Sequence, residues 1–203
     1  MNLVLIGTVF AAYLIGSVPS GLLLSKLFGK HDPRDHGSGN IGATNVSRTG
    51  GKLLGAITML ADILKGLIPV ALAIFAGLSE EWIAAVALAV FLGHLFPLYL
   101  KFKGGKGVAT MLGVMLPWQP IAALAGLGIW AVLLRFSHYV SLSSIVAGLT
   151  LPLLVWWTKG SIACLLVSMA FASLVTLKHI ANIRRLVDGT EPMAGSRGRE
   201  ARS

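Results

Sequence analysis

Two stretches of this sequence bring together residue types that hold anions. The run Lys101-Phe102-Lys103-Gly104-Gly105-Lys106-Gly107 mixes cations with glycines. Glycine has no side chain and reaches positive φ, so such a run can turn successive backbone N–H groups toward one anion while the lysines add charge. An apolar segment follows, and its helix would aim a positive end at the same point. The run is not a P-loop: Leu100 stands where the first glycine belongs, and Gly107 replaces the Ser or Thr that would hold magnesium. The plainer alternative is a basic connector with glycines for a tight turn.

The second stretch reads Gly37-Ser38-Gly39-Asn40-Ile41-Gly42-Ala43-Thr44-Asn45, with Arg48 three residues on. A guanidinium can grip phosphate through two parallel hydrogen bonds. In isolation the stretch is a polar loop capping the next helix, although it carries more hydrogen-bonding side chains and glycines than a connector needs. Farther along, His179 and Asn182 are spaced to share one helix face, followed by Arg184, Arg185 and then Glu191. A lone His in such a place is more often structural than catalytic. Ser144 is a weaker candidate for the same site. The single cysteine, Cys164, lies in an apolar run, which excludes a disulfide framework and a thiolate metal site. No metal-ligand cluster and no cofactor motif is read.

The elements that must position these residues belong to a membrane. Of 203 residues, 55% are hydrophobic and 12% charged, about half the charge of a soluble domain. Long apolar blocks predict spans at 3–24, 53–77, 82–100, 107–116, 120–134, 140–157 and 161–182, since about 20 apolar residues cross the hydrocarbon core. The first block lacks a cleavage site and reads as a retained helix. The fourth, ending at Pro117-Trp118-Gln119-Pro120, is too short for a full crossing, and without it the count is six. The expected fold is an all-α polytopic bundle of seven transmembrane helices with Gly-rich cytoplasmic loops. Residues 1–191 form one domain, and 192–203 form a basic tail expected to be disordered.

With the N-terminus outside, every Lys and Arg beyond the spans except Lys159 falls on the inner side, as the positive-inside rule demands. The net charge of +9 is therefore spread over span ends and matches lipid headgroups and phosphorylated substrates, not nucleic acid. Asp62 and Lys65, within the second span, read as a pair that locks helices together.

The quoted residues carry a resemblance. Gly37 through Arg48 resembles the first motif of the bacterial PlsY family, the acyl-phosphate:glycerol-3-phosphate acyltransferases. Gly93-His94-Leu-Phe-Pro97 continuing to Lys101 through Thr110 is similar to the second, and His179 to Leu186 with Gly189-Thr190-Glu191 to the third. The likeness runs through nearly the whole chain; the tail beyond Glu191 is not explained by it. It implies acyl transfer from a long-chain acyl phosphate to the 1-hydroxyl of glycerol 3-phosphate, giving lysophosphatidate and phosphate for phospholipid synthesis. Ser38, His179 and Asn182 would orient the attacking hydroxyl, with orientation favoured over general-base work for His179. Gly37, Gly39, Asn40, Thr44, Asn45, Arg48, Lys103, Gly104, Gly105, Lys106, Gly107, Ser144 and Glu191 would hold substrate. The implied setting is the bacterial inner membrane with the site cytoplasmic, no cofactor, and as a further partner the peripheral enzyme that makes acyl phosphate. The alternative is a small permease or channel for a phosphorylated solute, but the polar motifs crowd one side and leave the midplane nearly bare.

Overall fold

A proline decides the first departure from the expected spans. In the computed structural model, which describes residues 3–195, the first apolar block is two helices, α1 (Leu3–Ser17) and α2 (Ser20–Leu27), meeting at 47°. Pro19 lacks an N–H and its ring crowds the preceding turn, so the helix stops at Ser17 and restarts after it. The chain continues through α3 (Ala43–Gly50), α4 (Lys52–Phe75), α5 (Glu80–Leu95), a 3-10 turn (Leu98–Leu100), α6 (Val108–Trp118), α7 (Pro120–Ser137), α8 (Val140–Trp157), α9 (Ile162–Lys178) and α10 (Ile180–Val187). No strand occurs among the described residues. The helix α3 lies inside the loop expected between the first two spans.

Four of these are long and apolar enough to cross a membrane: α4, α5 with its following turn, α7 and α8. Each bent pair, α1 with α2 and α9 with α10, can supply one more. At α9–α10 the chain bends by 58° at His179. Beyond the bend α10 sets Ile180, Ile183 and Val187 against Arg184 and Arg185, the composition of a helix lying in the interface plane. The span expected to be short is α6, with 11 residues. Its far end is nonetheless tied to the ends of other spans: Trp118 Nε1 and Ser161 Oγ both donate to Glu80 Oε2, at 3.0 and 2.6 Å. Its near end meets α10, since Lys106 Nζ donates to Asn182 Oδ1 at 2.6 Å. The helix thus joins two opposite polar faces.

Between those faces the core gathers α5, α6 and α9, where Phe91 and Phe171 pack with ring centroids 4.2 Å apart. Leu72, Phe75, Leu153, Trp156, Trp157 and Leu166 instead point outward and are exposed, as lipid-facing side chains are. Association of the helices relies on small residues, the membrane alternative to burying apolar surface. At the α4–α6 contact, a Cβ on Gly113 would strike the Ile63 carbonyl. Gly113→Val is accordingly expected to destabilise the fold by roughly 1–3 kcal/mol, read as a lower melting temperature of the purified protein. An unchanged melting temperature would refute this close approach.

The buried charges of α4 do pair. Lys65 Nζ lies 2.8 Å from Asp62 Oδ1 and donates to the Val18 carbonyl at 3.0 Å. That carbonyl sits at the α1–α2 break, so the cation ties α4 to the broken span.

Candidate active site

A cavity of about 1430 Å³ opens among α3, α4, α6, α7, α8 and the α9–α10 joint. Its wall changes character with the elements that build it. Loops and helix ends contribute Ser38, Asn40, Thr44, Arg48, Lys106, His179, Asn182 and Glu191. Span interiors contribute Met59, Ile63, Met111, Leu112, Met115, Leu127 and Leu151. One end can hold charge and the other a hydrocarbon chain.

The charged end has its own logic. Gly107 precedes α6 at φ +84°, a left-handed conformation that glycine adopts without penalty. This sharp turn lets the first turn of α6, through Val108 and Ala109, line the cavity. Gly42 precedes α3 in extended backbone, φ −76°, and Ala43 and Thr44 lie on the wall. Neither helix start is capped by a side chain. Two sets of helix N–H groups and two positive helix ends therefore share one space with Arg48 and Lys106.

Lys106 is only partly exposed, and burial lowers its ammonium to about 8, with the nearby Glu191 carboxylate opposing the shift and Arg185 and Arg48 adding to it. Its partner Asn182 is oriented by Glu191, because Asn182 Nδ2 donates to Glu191 Oε1 at 2.6 Å. Arg185 Nε donates to the other carboxylate oxygen at 2.7 Å. Burial works to raise the Glu191 carboxyl, but its contacts with Asn182, Ser141 and Arg185 outweigh this and hold it below the usual carboxylate range. Glu191 thus supports the wall through Asn182 and is not free to meet an anion. The chain reverses at Gly189, φ +68°, to bring it there.

His179 is buried at the hinge. Its Nδ1 lies 2.8 Å from the Val175 carbonyl oxygen. A carbonyl only accepts, so Nδ1 carries the hydrogen and Nε2 keeps its lone pair. Burial first, and then the Lys106 charge, lower the imidazole to about 4. The ring is neutral at ordinary pH and offers an acceptor.

The other expected residues divide. Ser38, Gly37 and Thr44 lie on the wall. Asn45 also lies there, but its amide is committed to the loop: Oδ1 accepts from the Ser38 N–H at 2.9 Å, and Nδ2 faces the Pro33, His36 and Asn40 carbonyls. Asn40 Oδ1 likewise accepts from the Gly42 N–H at 2.8 Å. Ser144 is on the wall with its hydroxyl engaged, donating to Val140 O at 2.7 Å and accepting from Trp130 Nε1 at 3.1 Å. Gly39, Lys103, Gly104 and Gly105 do not line the cavity. Lys103 points outward and is exposed, and Gly104 packs against the His94 and Leu95 carbonyls. Sequence reasoning passed over Arg185, Ser141 and Trp130. Of these, Arg185 stands three residues after Asn182, a helical spacing that signals a shared face.

The beginning of the tail is also placed. Pro192 lines the mouth, with its carbonyl 3.4 Å from Arg48 Nη2, and the Ala194 N–H donates to the His138 carbonyl at 2.7 Å. Residues 196–203 lie outside the described residues.

Residues 6–189 match the profile of a family described as glycerol-3-phosphate acyltransferase. A glycerol-3-phosphate acyltransferase of Syntrophotalea carbinolica is 48% identical over 182 residues, covering 89% of this chain and 93% of that protein. One from Thioalkalivibrio sulfidiphilus is 49% identical over 189 residues, covering 93% of each. Among solved structures, the integral membrane glycerol 3-phosphate acyltransferase PlsY in its glycerol 3-phosphate form superposes with a TM-score of 0.91 at 38% identity, covering 95% of this chain and 96% of that one. Its lysophosphatidic acid form gives 0.86 at 36% identity, covering 94% and 95%. Profile, sequence and helical architecture agree over nearly the full length, and the chain belongs to the glycerol-3-phosphate acyltransferase family.

Proposed function

We propose that this membrane protein moves a fatty acyl group from acyl phosphate to the 1-hydroxyl of sn-glycerol 3-phosphate. The carrying observation is one cavity whose charged end, lined by Arg48 and Lys106, opens into an apolar chamber. The family supplies the acceptor, and PlsY structures exist in forms named for glycerol 3-phosphate and lysophosphatidic acid. Acyl phosphate suits the donor role because its phosphate matches the second set of anion-binding groups.

The hydroxyl oxygen attacks the acyl carbonyl carbon, the bond from that carbon to the phosphate oxygen breaks, and phosphate leaves. The departing proton passes to that phosphate, while His179 Nε2 accepts the hydroxyl's hydrogen bond and orients it. Arg48, Lys106 and the starts of α3 and α6 hold the two phosphates, and charge on the carbonyl oxygen is stabilised by the same fixed dipoles. Ser38, His179 and Asn182 set the angle of attack. The mixed anhydride is already activated, so positioning supplies most of what remains.

The direct test gives purified, detergent-solubilised protein glycerol 3-phosphate with palmitoyl phosphate, palmitoyl-CoA or palmitoyl acyl carrier protein. Lysophosphatidate is expected with palmitoyl phosphate alone. Product with the thioesters at a comparable rate would overturn the donor assignment. A permease would need a sealed compartment, which detergent removes.

The site faces the cytoplasm in a seven-span arrangement of a bacterial inner membrane. This is supported by α6 joining the two polar faces and by the basic residues gathered at the Lys106 face. Cysteines introduced at Asn2 and Ser196, both outside the described residues, are expected to label from opposite sides of the membrane. Labelling from one side would sink the odd span count.

A further inference from the structure

Asp62, Lys65 and His94 form a polar cluster beneath the Lys106 loop, and the acyl transfer step gives them no task. Each is less than a tenth exposed. Charges at such a depth are costly, and a pair that served only to join helices could be replaced by apolar packing without loss. Asp62 also reaches the wall of a cavity meant for two phosphates, where an uncompensated carboxylate would repel them.

Its connections explain the placement. Asp62 Oδ1 lies 2.8 Å from Lys65 Nζ and 3.7 Å from His94 Nδ1. Lys65 in turn holds the Val18 carbonyl at the α1–α2 break. On the opposite side of its ring, His94 supports the glycine turn: a Cβ on Gly105 would fall on the imidazole Nε2. The Gly105 N–H also donates to the His94 carbonyl at 3.1 Å. Three separate segments are thus fastened directly under the residue that precedes Lys106.

We propose that Asp62, Lys65 and His94 are positioning residues that fix the height of the Gly105 turn, so that Lys106 Nζ meets the substrate phosphate. The proposal rests on the phosphate-binding role given to Lys106 above. Its prediction is a dependence: loss of His94 should matter because Lys106 is displaced, and should matter little once Lys106 is gone.

A double-mutant cycle tests this, using palmitoyl phosphate and glycerol 3-phosphate with His94→Gln, Lys106→Ala and the double variant. His94→Gln is expected to lower kcat/KM about 10- to 30-fold in the wild-type background and less than about 3-fold beside Lys106→Ala, and to raise the same KM that Lys106→Ala raises. Asp62→Asn with Lys65→Met leaves no buried charge unpaired. That variant is expected to keep the wild-type melting temperature and still lose about tenfold in kcat/KM. Equal losses in both backgrounds, or wild-type kcat/KM in the Asp62→Asn, Lys65→Met protein, would reduce the cluster to a structural clamp. Absence of acyl transfer by the wild-type protein would instead sink the functional reading itself, so the two failures are distinct.

Discussion

Lys106→Ala is expected to lower kcat/KM by about 100- to 1,000-fold while the protein still inserts and purifies as before. Loss of one preorganised, charge-assisted contact at a partly buried site costs on the order of 3–4 kcal/mol of transition-state stabilisation. Packing changes little, because the lysine's polar partner is the single amide oxygen of Asn182 at 2.6 Å. A contact made equally to bound substrate and transition state would appear in KM, and one made only in the transition state in kcat; both are expected to move. The pH profile gives an independent check. Burial lowers the ammonium to about 8, and only the protonated form attracts phosphate. Wild-type kcat/KM should therefore fall as pH rises through about 8. Lys106→Arg keeps its charge well above that value, so the limb should move beyond pH 10 even if overall activity is reduced. Near-normal kcat/KM in Lys106→Ala would demote the loop to a topological signal.

Replacing His179 by alanine is expected to cost a comparable factor, about 100-fold or more, for a different reason. Nδ1–H is spent on Val175 O, which fixes the ring and leaves Nε2 as an acceptor. With the imidazole lowered to about 4, it is neutral across the working range and too weak a base to take a full proton efficiently. A role in orienting the hydroxyl fits that chemistry. His179→Gln, whose amide oxygen reaches about as far as Nε2, should recover a good part of the alanine loss. Any limb near 6.5 should belong to the substrate phosphate, whose second pKa is about 6, and should persist in His179→Gln. A limb between pH 6 and 7 that vanishes in His179→Gln would restore general-base catalysis.

How much of this the sequence disclosed depends on the range of the interaction. The motif around Lys106 and the pair His179 and Asn182 were legible because glycine content, charge and helical spacing are local properties. Lys103 looked equivalent to Lys106, yet the two part company because the turn closes at Gly107 and aims only the second lysine inward. Glu191 was read as a substrate ligand, whereas its hydrogen bonds to Asn182 and Arg185 arise only after the chain reverses at Gly189. The first span was read as continuous although Pro19 was in plain view, since apolar length outweighed the local penalty. The support of Gly105 by His94, and of His94 by Asp62, joins residues far apart in sequence and carries no periodic signal. Apolar blocks located the helices from α4 to α9 to within a few residues, because an apolar run is read one helix at a time.

The shortness of α6 has an electrical meaning. Eleven residues rise about 16 Å, against roughly 30 Å of hydrocarbon core, and one end of that helix is tied to the Glu80 face. If the Lys106 end gathers substrate phosphate as proposed above, the polar face formed by Lys106 and α10 is drawn inward from the opposite headgroup plane, partway into the transmembrane field. Each elementary charge carried through that field exchanges about 2.3 kcal/mol per 100 mV, scaled by the fraction crossed. If the Lys106 face is cytoplasmic, as proposed, and the interior negative, an anion moving from the cytoplasm to the site travels toward the positive side. The resting potential of an energised cell would then strengthen the binding of both phosphorylated substrates, and collapse of that potential would weaken it.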